Sequence, residues 1–588
     1  MDIQTKIPIA VDKHTKLDLP FDHASTSMFM LLLPMYYRHT LRTENNHFKF
    51  TSVVRPNPLV VPTFGRIRQN LRHFFVPYRL VFPNWEEYKQ DVVASNFESS
   101  SQVVGVPCFD ALSLQELFFG ENPGYGLSDQ VTTPTTEPLN YDFNINGSYY
   151  KLTRLGRNLY KILYSLGYDI VLNANKLQFN ALILLAYAKV YSDWYANSAY
   201  LDDAMYLKLQ RFFKYNDPTD RLKLSASDLY QLLMFVRPAV YSSNPYFEDA
   251  WDNPAAPNGN QFTSFTFYDP TNQNGAYVST VENGVVTNGT PNMYINNTSP
   301  TQIGTKYMHD ALQKLSLYQR RHALAGARSI DRVLAQYGIQ TANLRLQRSI
   351  YVGVSSQDVD INSIYATANG SNSEGQSVVG DYAGAGFGAG SNLVQYQNDE
   401  EGIFLTISTL QPSGGYYQGY DRNNRHLSRE QFFTPEFDTL GVQSIERGEV
   451  YVSRNSSFAS TGDDYAAHFG FTGRYGEYKR PISRVSGDFA FPSVLAGGHA
   501  WHLMREFNDE YFNNSLDNVR HSQDFSRGTD AEQYMRLFTY TKYELDPFNL
   551  FLHVDVASYS PCHPLTDSFD WDMNTPEVSI NSQGSKVN

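Results

Sequence analysis

The chain has 588 residues, a formal net charge of −13 and an aromatic content of 14%. Its apolar content is enough for a large core, and its 42 tyrosines are enough to supply interfaces as well. Only two cysteines are present, Cys108 and Cys562, which excludes a disulfide framework and predicts buried thiols and folding in a reducing cytoplasm.

The beginning of the chain predicts neither export nor a membrane span. Residues 1–18 alternate charged with apolar side chains, whereas a secretion signal needs a continuous apolar stretch. The nearest apolar run, residues 28–33, ends at Pro34, and no run reaches the roughly 18 apolar residues that a spanning helix needs. We therefore expect a soluble protein without membrane insertion.

Short strands and turns are predicted for the first 115 residues. Residues 47–54 alternate crudely between apolar and polar, which places Phe48 and Phe50 on one face of a strand. Five prolines interrupt residues 55–88. Because an interior proline removes a donor and clashes with the preceding helical turn, this stretch predicts extended segments joined by corners.

Helical periodicity replaces the strand pattern at residues 150–237. Apolar residues within 152–166 recur mostly at spacings of three or four, which lines one helix face. Residues 181–195 continue as an almost wholly apolar helix. A third helix is predicted for 225–235, where a Ser-x-x-Asp arrangement begins at Ser225, as in a helix cap.

Two polar segments separate the helices from the later strands. Residues 252–304 are rich in Asn, Gly, Thr and Pro, residues 366–398 are similar, and we expect both to be surface loops. Glycines alternate along residues 384–390 without the spacing of a dinucleotide site, so we interpret them as a source of flexibility. Between the loops, a surface-lying helix is predicted for 306–337.

Strand signals return after residue 402. Residues 403–408 suit a strand buried on both faces, 449–453 read as a short strand, and 550–557 alternate with a clean period of two. Strands at both ends of the chain imply one β domain closed by distant segments. We predict a mainly β fold, an antiparallel jelly-roll sandwich over 1–588, with a helical and loop insertion at 150–350.

Charge is distributed in blocks. Residues 37–80 hold eight bases against one acid, and residues 306–348 hold eight bases against two acids. Residues 238–305 hold five acids and no Lys or Arg, and residues 353–402 hold seven acids and no Lys or Arg. This contrast predicts a molecule with differently charged faces, the acidic loops lying outside.

The basic blocks supply the candidate functional residues. Clustered cations attract phosphate without sequence preference, so they predict contact with nucleic acid or with a neighbouring subunit. The alternative is that these bases form ordinary ion pairs and solvated faces. The candidates are Arg55, Arg66, Arg68, Arg72, Arg79, Arg320 and Arg321.

A search for catalytic chemistry finds no candidate. The chain has no Gly-x-Ser-x-Gly, no Gly-Lys dipeptide and no His-Glu-x-x-His. His499 and His502 have a spacing that could bind a metal, and residues 399–401 could form an acidic calcium loop, but chance spacing and a solvated turn explain them better. We therefore expect no enzyme activity, no catalytic residue, no cofactor and no metal.

Six sequence blocks between residues 21 and 489 carry a resemblance to a known family. The blocks are FDHASTSMFMLLLPMYY (21–37), VVPTFGRI (60–67), HFFVPYRLVFPNW (73–85), LRLQRSIYVG (344–353), FFTPEFDTLGVQSI (432–445) and FGFTGRYGEYKRPISRVSGDF (469–489). In the same order, they resemble segments of the major capsid protein family of the Microviridae, the small single-stranded DNA phages, in its gokushovirus-like branch. Ser349 departs from the family pattern, which usually has proline after the arginine.

The resemblance implies a structural protein and its partners. It implies a homo-oligomer that builds a small icosahedral shell around a circular single-stranded DNA genome, with a jelly-roll subunit. Further partners would be minor or DNA-packaging virion proteins and a host surface receptor contacted by surface loops. The implied location is the virion, assembled in the host cytoplasm.

Two other functions compete with this interpretation. A cell-surface glycan-binding protein also combines helices with Asn- and Tyr-rich loops, but it would need an export signal or a lipid-anchor cysteine. A secreted carbohydrate-active enzyme would need a selected carboxylate pair in a cleft. Sedimentation separates them, since shells or pentamer-sized assemblies favour the capsid and a sugar-binding monomer contradicts it.

Overall fold

A computed structural model gives the fold of the chain. Besides short strands at 266–268, 275–277, 281–282 and 285–286 and single residues at 314, 317 and 338, it describes 21 segments. These are residues 15–82, 85–90, 106–120, 126–131, 142–145, 147–172, 177–195, 223–236, 348–365, 370–372, 375–377, 382–413, 415–427, 429–438, 442–453, 463–466, 468–480, 484–491, 498–504, 534–539 and 546–561.

Eight long antiparallel strands form a sandwich of two layers. The strands are β1 (Thr15–Ser27), β2 (Leu33–Thr40), β3 (Asn45–Pro56), β4 (Ile67–Pro77), β5 (Ile350–Tyr365), β6 (Tyr382–Gln397), β7 (Gly402–Pro412) and β8 (Phe548–Ser560). Along the sheet they run in the order β1-β8-β3-β6-β5-β4-β7-β2, so each layer has four strands. Eight strands wound in this way are a jelly roll, and the predicted fold class is confirmed.

β5 and β6 pass from one layer to the other. Residues 350–359 of β5 pair with β4, whereas residues 360–365 pair with the first part of β6. Residues 388–397 of β6 then pair with β3 in the opposite layer. Strands that change sheets make the corners of a sandwich, so the 360–365 hairpin is one such corner.

The glycine-rich part of β6 corrects the sequence prediction. We expected 366–398 to be a surface loop with flexible glycines, yet residues 382–397 form a strand. A Cβ atom on Gly386 would lie 2.4 Å from Cγ of Pro56. Glycine is therefore needed here for close approach between chain segments at the corner, since a side chain would clash.

The inner faces of the two layers share one apolar core. Phe48 of β3 stacks on Phe404 of β7, with ring centroids 4.2 Å apart across the sandwich. β8 alternates buried with exposed residues as predicted, and it pairs with both β1 and β3. Strands from the two ends of the chain thus close a single core, as the alternation at 47–54 and 550–557 predicted.

A histidine is buried within this core. His73 of β4 is fully buried and stacks on Phe50 at 4.2 Å. Its Nδ1 lies 3.0 Å from Oγ1 of Thr406, and its Nε2 lies 3.0 Å from Oγ of Ser355. Burial lowers the pKa of His73 from 6.5 to about 3, so the ring is neutral in the folded chain at physiological pH.

We expect His73 to make folding sensitive to acid. Below pH 6.5 the unfolded chain binds a proton at this ring, whereas the folded chain does so only near pH 3. Above pH 6.5 protonation of this ring therefore takes nothing from the free energy of unfolding. As the pH falls from 6.5 towards 3, it lowers that free energy by about 1.4 kcal/mol per pH unit. Chemical unfolding of the wild type and His73→Asn between pH 7 and 5 measures this slope, which the variant should lose.

A histidine with the opposite shift provides the control. Hydrogen bonding to Asp22 raises the pKa of His553, so its contribution to stability grows as pH falls through its titration. His553→Asn should therefore make the acid-induced loss steeper, not shallower. An unchanged slope in His73→Asn would contradict the assignment.

The shorter helices and strands complete the described fold. The helices are α1 (Tyr78–Val81), α2 (Trp85–Gln90), α3 (Ala111–Phe119), α4 (Arg154–Ser165), α5 (Leu182–Val190), α6 (Ala226–Val236), α7 (Arg447–Val450), α8 (Asp463–Ala466) and α9 (Gly476–Lys479), with a π-helical turn at Tyr191–Tyr195 and 3-10 turns at Arg422–Arg425, Arg429–Gln431, Pro435–Phe437, Gly487–Ala490, Gly498–Trp501 and Tyr534–Leu537. The short strands are Cys108–Asp110, Ser128–Val131, Asp142–Ile145, Ser148–Leu152, Gln178–Asn180, Lys223–Leu224, Thr266–Tyr268, Gly275–Tyr277, Val281–Glu282, Val285–Val286, Gly370–Asn372, Gly375–Ser377, Val442–Glu446 and His468–Gly473. None of the described helices is long and apolar enough to cross a membrane.

A second apolar core lies between the sandwich and the helices. Phe74 of β4 and Leu405 of β7 point away from the inner core and pack with buried residues of α4 and α5. The predicted apolar face of 152–166 is this buried face of α4. At α6, Ser225 accepts from the N–H of Asp228 at 3.2 Å and donates its own N–H to the carboxylate at 3.3 Å, which confirms the predicted cap.

Other predictions fail or fall outside the described residues. Residues 449–453 were expected to be a strand, but residues 449 and 450 belong to α7, which begins with a capping box formed by Glu446 and Glu449. Cys108 is half-buried, which makes the expected burial partial. Outside the described part of the chain lie Cys562, most of 252–304 and nearly all of the helix expected at 306–337.

A buried ion pair joins the helices to the sandwich. Nζ of Lys161 on α4 lies 2.7 Å from Oδ2 of Asp546, just before β8, and Thr26 of β1 donates its hydroxyl to the same oxygen. Burial alone would raise the pKa of Asp546, but the charge and hydrogen bond of Lys161 outweigh burial and hold that pKa below its ordinary value. The carboxylate is therefore ionised, and its contacts tie three elements together.

Candidate nucleic-acid and subunit interface

Two candidate arginines share one carboxylate on the neighbouring strand. Arg68 of β4 is opposite Asp358 of β5, and its Nε lies 2.8 Å from Oδ1 of that residue. Nε of Arg66 lies 3.8 Å from Oδ2 of Asp358. The hydrogen bond from Arg68 lowers the pKa of Asp358, so the carboxylate stays ionised. All three side chains are exposed, and exposed pairs of this kind contribute little to stability.

Arg55 lies at the same corner of the sandwich. Its guanidinium is 5.8 Å from the ring centroid of Phe387, a residue of β6 that is exposed. Phe387 is opposite Asp360, two residues after Asp358, so the crossing of β5 and β6 gathers these groups. In the described part of the chain, no carboxylate forms an ion pair with Arg55. We call Arg55, Arg66 and Arg68 the arginine corner.

Arg72 and Arg79 are half-buried and contact groups of the same chain. The guanidinium of Arg72 lies 5.6 Å from the ring centroid of Tyr195, in the turn that follows α5. Nε of Arg79 lies 2.7 Å from Oε2 of Glu400, and both side chains are partly buried. These contacts are cation–π and ion-pair contacts within one chain, which is the ordinary alternative for these two residues.

The predicted separation of charged faces is wrong for one pair of blocks. The basic block 37–80 and the acidic block 353–402 lie side by side because β4 pairs with β5. Arg79 and Lys89 form ion pairs with Glu400 and Glu401 at this junction. Opposite charges therefore meet here instead of lying on opposite sides.

Apart from single residues at 314, 317 and 338, the second basic block is described only at its end. Arg320 and Arg321 lie outside the described residues. Arg348 stacks 3.8 Å from the ring centroid of Trp194 and donates from Nη2 to the carbonyl of Asp193 at 2.8 Å. Arg348 thus joins β5 to the π-helical turn that follows α5.

The sequence did not predict a cluster of buried polar groups beside Arg348. The carboxylate of Asp193 is fully buried and accepts from both the N–H and the hydroxyl of Ser349, each at 2.8 Å. Lys189, one turn earlier, lies 3.1 Å from the other oxygen. The signal in the sequence was Ser349 itself, since a proline there would have no N–H to donate.

Side chains that the sequence suggested as metal ligands have other contacts in the described structure. Within the described residues, no group of three His, Cys, Asp or Glu side chains is placed to hold a metal ion. His502 accepts from the N–H of Met504 and donates to the carbonyl of Phe489, so both ring nitrogens are used. Glu400 and Glu401, from the proposed acidic loop, are held in ion pairs with bases.

The arginine corner is the arrangement best suited to an external partner. It combines three exposed cations with an exposed aromatic ring, Phe387. Two acids, Asp358 and Asp360, reduce its charge. Cations attract a phosphate backbone and an aromatic ring can stack on an unpaired base, so this chemistry suits single-stranded nucleic acid.

Comparisons with known proteins show similarity to phage capsid proteins. The family model described as "Capsid protein (F protein)" matches residues 5–111 and 158–534. Capsid protein VP1 of Bdellovibrio phage phiMH2K is 22% identical over 530 residues, which cover 85% of this chain and 87% of that protein. Capsid protein VP1 of Chlamydia phage 1 is 24% identical over 217 residues, which cover 37% of this chain and 36% of that protein. The similarity therefore extends over most of the chain.

Proposed function

The chain belongs to the phage capsid protein (F protein) family of the Microviridae, and from this premise we propose that its copies close into a small icosahedral shell around a circular single-stranded DNA genome. The family gives the chain a structural role in a multimeric capsid, and its location is the virion. This role is favoured over glycan binding and over carbohydrate chemistry. We place assembly in the host cytoplasm.

The observation that carries the proposal is the jelly roll itself, in a chain that matches the capsid family over most of its length. Jelly rolls are a recurrent architecture of viral capsid proteins. Analytical ultracentrifugation and electron microscopy of the purified chain test the proposal, with and without minor virion proteins. Closed particles are expected; a chain that stays monomeric under both conditions would contradict it.

We propose that the arginine corner faces the packaged DNA. Three exposed cations beside Phe387 support this orientation, as single-stranded DNA is bound by cationic surfaces that carry stacking rings. Minor or DNA-packaging virion proteins could share this interior surface as partners. The same geometry also fits a contact with a neighbouring subunit, and salt dependence distinguishes the two.

Neutralising the arginine corner should weaken DNA binding in a salt-dependent way. Each phosphate contact on single-stranded DNA adds about 0.7 to the slope of log affinity against log salt. The triple variant Arg55→Gln/Arg66→Gln/Arg68→Gln should therefore lower that slope by about 2 if each arginine meets one phosphate. Fluorescence anisotropy with a labelled oligonucleotide at several salt concentrations measures the slope.

Two variants make this measurement specific. Arg79→Gln removes an arginine that is already paired with Glu400, so the salt slope should stay at the wild-type value. Phe387→Ala should reduce affinity and leave the slope unchanged, because stacking does not depend on counterion release. A wild-type slope in the triple variant would place the corner away from DNA.

We propose that residues 252–304 contribute to contact with a host surface receptor. The composition of this segment supports the idea, as polar loops often carry binding functions. Two short hairpins are described within it, Thr266–Tyr268 with Gly275–Tyr277 and Val281–Glu282 with Val285–Val286. Particles that lack 252–304 and still attach to the host would refute this assignment.

A further inference from the structure

β1 forms a free edge of the eight-stranded sheet. It stands at one end of the strand order and pairs only with β8. In the described part of the chain, the other side of β1 makes no backbone–backbone hydrogen bond. Unpaired N–H and C=O groups along an edge form a template for pairing with a further strand. We call residues 15–23 of β1 the open edge.

Apolar side chains of the open edge are only partly covered. Leu19 and Phe21 are opposite Val556 and Val554 of β8, which are buried in the sandwich. Because opposite residues of an antiparallel pair point to the same face, Leu19 and Phe21 also point inwards. Leu19 is nevertheless 39% exposed and Phe21 38% exposed. The sandwich is therefore open along this part of β1, and one added strand would cover both side chains.

The open edge has only part of the protection that sheet edges usually carry. Pro20 has no N–H to donate, and Lys16 is a charged residue of the kind that commonly stands on an edge. The register between β1 and β8 nevertheless runs without a bulge from Thr15 to Ser27. None of the Lys and Asp residues of the open edge is at an inward-facing position. Pairing along this edge is therefore weakened by one missing donor but not prevented.

A second copy of β1 matches the open edge in an antiparallel register centred on Leu19. Residues that are opposite each other must point to the same face, so odd-numbered residues have to be opposite odd-numbered ones. With Leu19 opposite Leu19 of the second copy, Leu17 is opposite Phe21 on either side of the centre. The inward-facing residues 17, 19 and 21 of both copies then pair only with each other, and all of them are apolar.

Other registers fit less well. A register centred on Asp18 places that carboxylate opposite its own copy, and one centred on Pro20 places Asp18 opposite Asp22. Like charges directly opposite each other destabilise a strand pair. The next shift in either direction places Leu19 opposite a polar residue. Apolar matching and the avoidance of acid–acid pairs therefore select the register centred on Leu19, and neither depends on an unpaired base.

We propose that the open edges of two copies pair in this register about a two-fold axis at Leu19, so that their sheets become continuous. The inference rests on the proposed shell, because the shell is what brings copies together at fixed positions. The second copy is favoured over an unrelated extended peptide, since a contact that uses the same patch on both subunits covers two open edges at once. Strand addition of this kind obtains its affinity from main-chain hydrogen bonds and its specificity from alternate side chains.

A cysteine at the centre of the contact tests the register. Leu19→Cys places two thiols directly opposite each other, at a Cβ separation of about 4.5–5.5 Å, which is close to the distance that a disulfide spans. Mild oxidation should therefore link two copies, as a dimer on a non-reducing gel, and peptide mass spectrometry should find the new cysteine joined to itself. The wild type, which keeps Cys108 and Cys562, gives the background.

Two outward-facing positions provide the matched control for the register. Asp18→Cys and Pro20→Cys should each fail to link alone, because each new cysteine lies diagonally from its own copy, beyond the reach of a disulfide. A mixture of the two variants should link, since residue 18 of one copy is opposite residue 20 of the other in the register centred on Leu19.

A charged side chain at the centre tests the strength of the contact. Leu19→Lys places two ammonium groups opposite each other and should weaken self-association about 30-fold or more, the loss typical of interface hot spots. Leu393→Lys alters a residue of β6 that is 66% exposed, and it should associate like the wild type. Sedimentation velocity measures the association, and thermal melts check the fold of each variant.

The outcomes separate this contact from the shell. Leu19→Cys chains that stay unlinked, or Asp18→Cys chains that link as readily, overturn the contact, and so does wild-type association of Leu19→Lys. A segment of the same chain that covered the open edge would also leave Leu19→Cys unlinked. If Leu19→Cys links but the wild type forms no closed particles, the contact stands and the proposed shell is what fails. If particles close while Leu19→Cys stays unlinked within them, the shell stands and the contact fails.

Discussion

Replacing Lys161 with alanine is expected to destabilise the folded chain by about 3–5 kcal/mol, the usual effect of breaking a buried ion pair. The Lys161 side chain is 9% exposed, and its ammonium is the cation 2.7 Å from Asp546. Without it, the carboxylate of Asp546 keeps the hydroxyl of Thr26 but has lost its ion-pair partner. Chemical denaturation monitored by tryptophan fluorescence measures the loss.

Further variants show whether charge or packing is responsible. Lys161→Met keeps most of the aliphatic stem and removes only the charge, so most of the loss should remain. In an Asp546→Asn background the effect of Lys161→Met should shrink, because no buried carboxylate is left to neutralise. Lys16→Ala removes an exposed ion pair with Asp18 and should leave the unfolding free energy unchanged within error. Equal effects of Lys161→Met in both backgrounds would refute an electrostatic role.

The Lys161–Asp546 pair connects the helices to the sandwich. α4 belongs to the second apolar core, whereas Thr26 lies near the end of β1 and Asp546 lies just before β8. Losing the pair should therefore loosen the helices from the sandwich before the jelly roll itself unfolds. Hydrogen exchange would show this as faster exchange in α4 than in β8.

Periodicity in the sequence was enough to predict those elements that bury one face and expose the other. β8 faces the core on one side and is exposed on the other, so its apolar and polar residues alternate. α4 buries one face only, so its leucines recur at helical spacing. In both cases the surroundings impose a pattern that can be read without knowing which segment lies beside it.

The sequence was not enough to predict the role of residues that contact a partner far away in the chain. The glycines of β6 resemble a flexible loop until Pro56 is placed against Gly386. Arg68 resembles part of a basic face until β5 brings Asp358 opposite to it, and Asp546 gives no local sign of Lys161. Such pairings are set by strand order and by contacts hundreds of residues apart, which composition and spacing do not encode.

Ser349→Pro is expected to cost about 3–6 kcal/mol of folding free energy, because hydrogen bonds to a charged group contribute about 1.5–3 kcal/mol each and proline removes two. Both the N–H and the hydroxyl of Ser349 donate to the buried carboxylate of Asp193. Proline is the residue that the family resemblance leads one to expect at this position. This chain therefore combines a buried aspartate with a serine that can satisfy it.

A graded series tests this coupling between Ser349 and Asp193. Ser349→Ala removes the hydroxyl but keeps the N–H, so its cost should be about half that of proline. In an Asp193→Asn background the unfolding free energies of Ser349→Ala and Ser349→Pro should differ less. Removing a hydrogen-bond donor costs less free energy when the acceptor is a neutral amide than when it is a buried carboxylate. Unfolding free energies of all six combinations measure the interaction. If proline and alanine cost the same with Asp193 intact, the N–H contributes nothing and serine at this position has another cause.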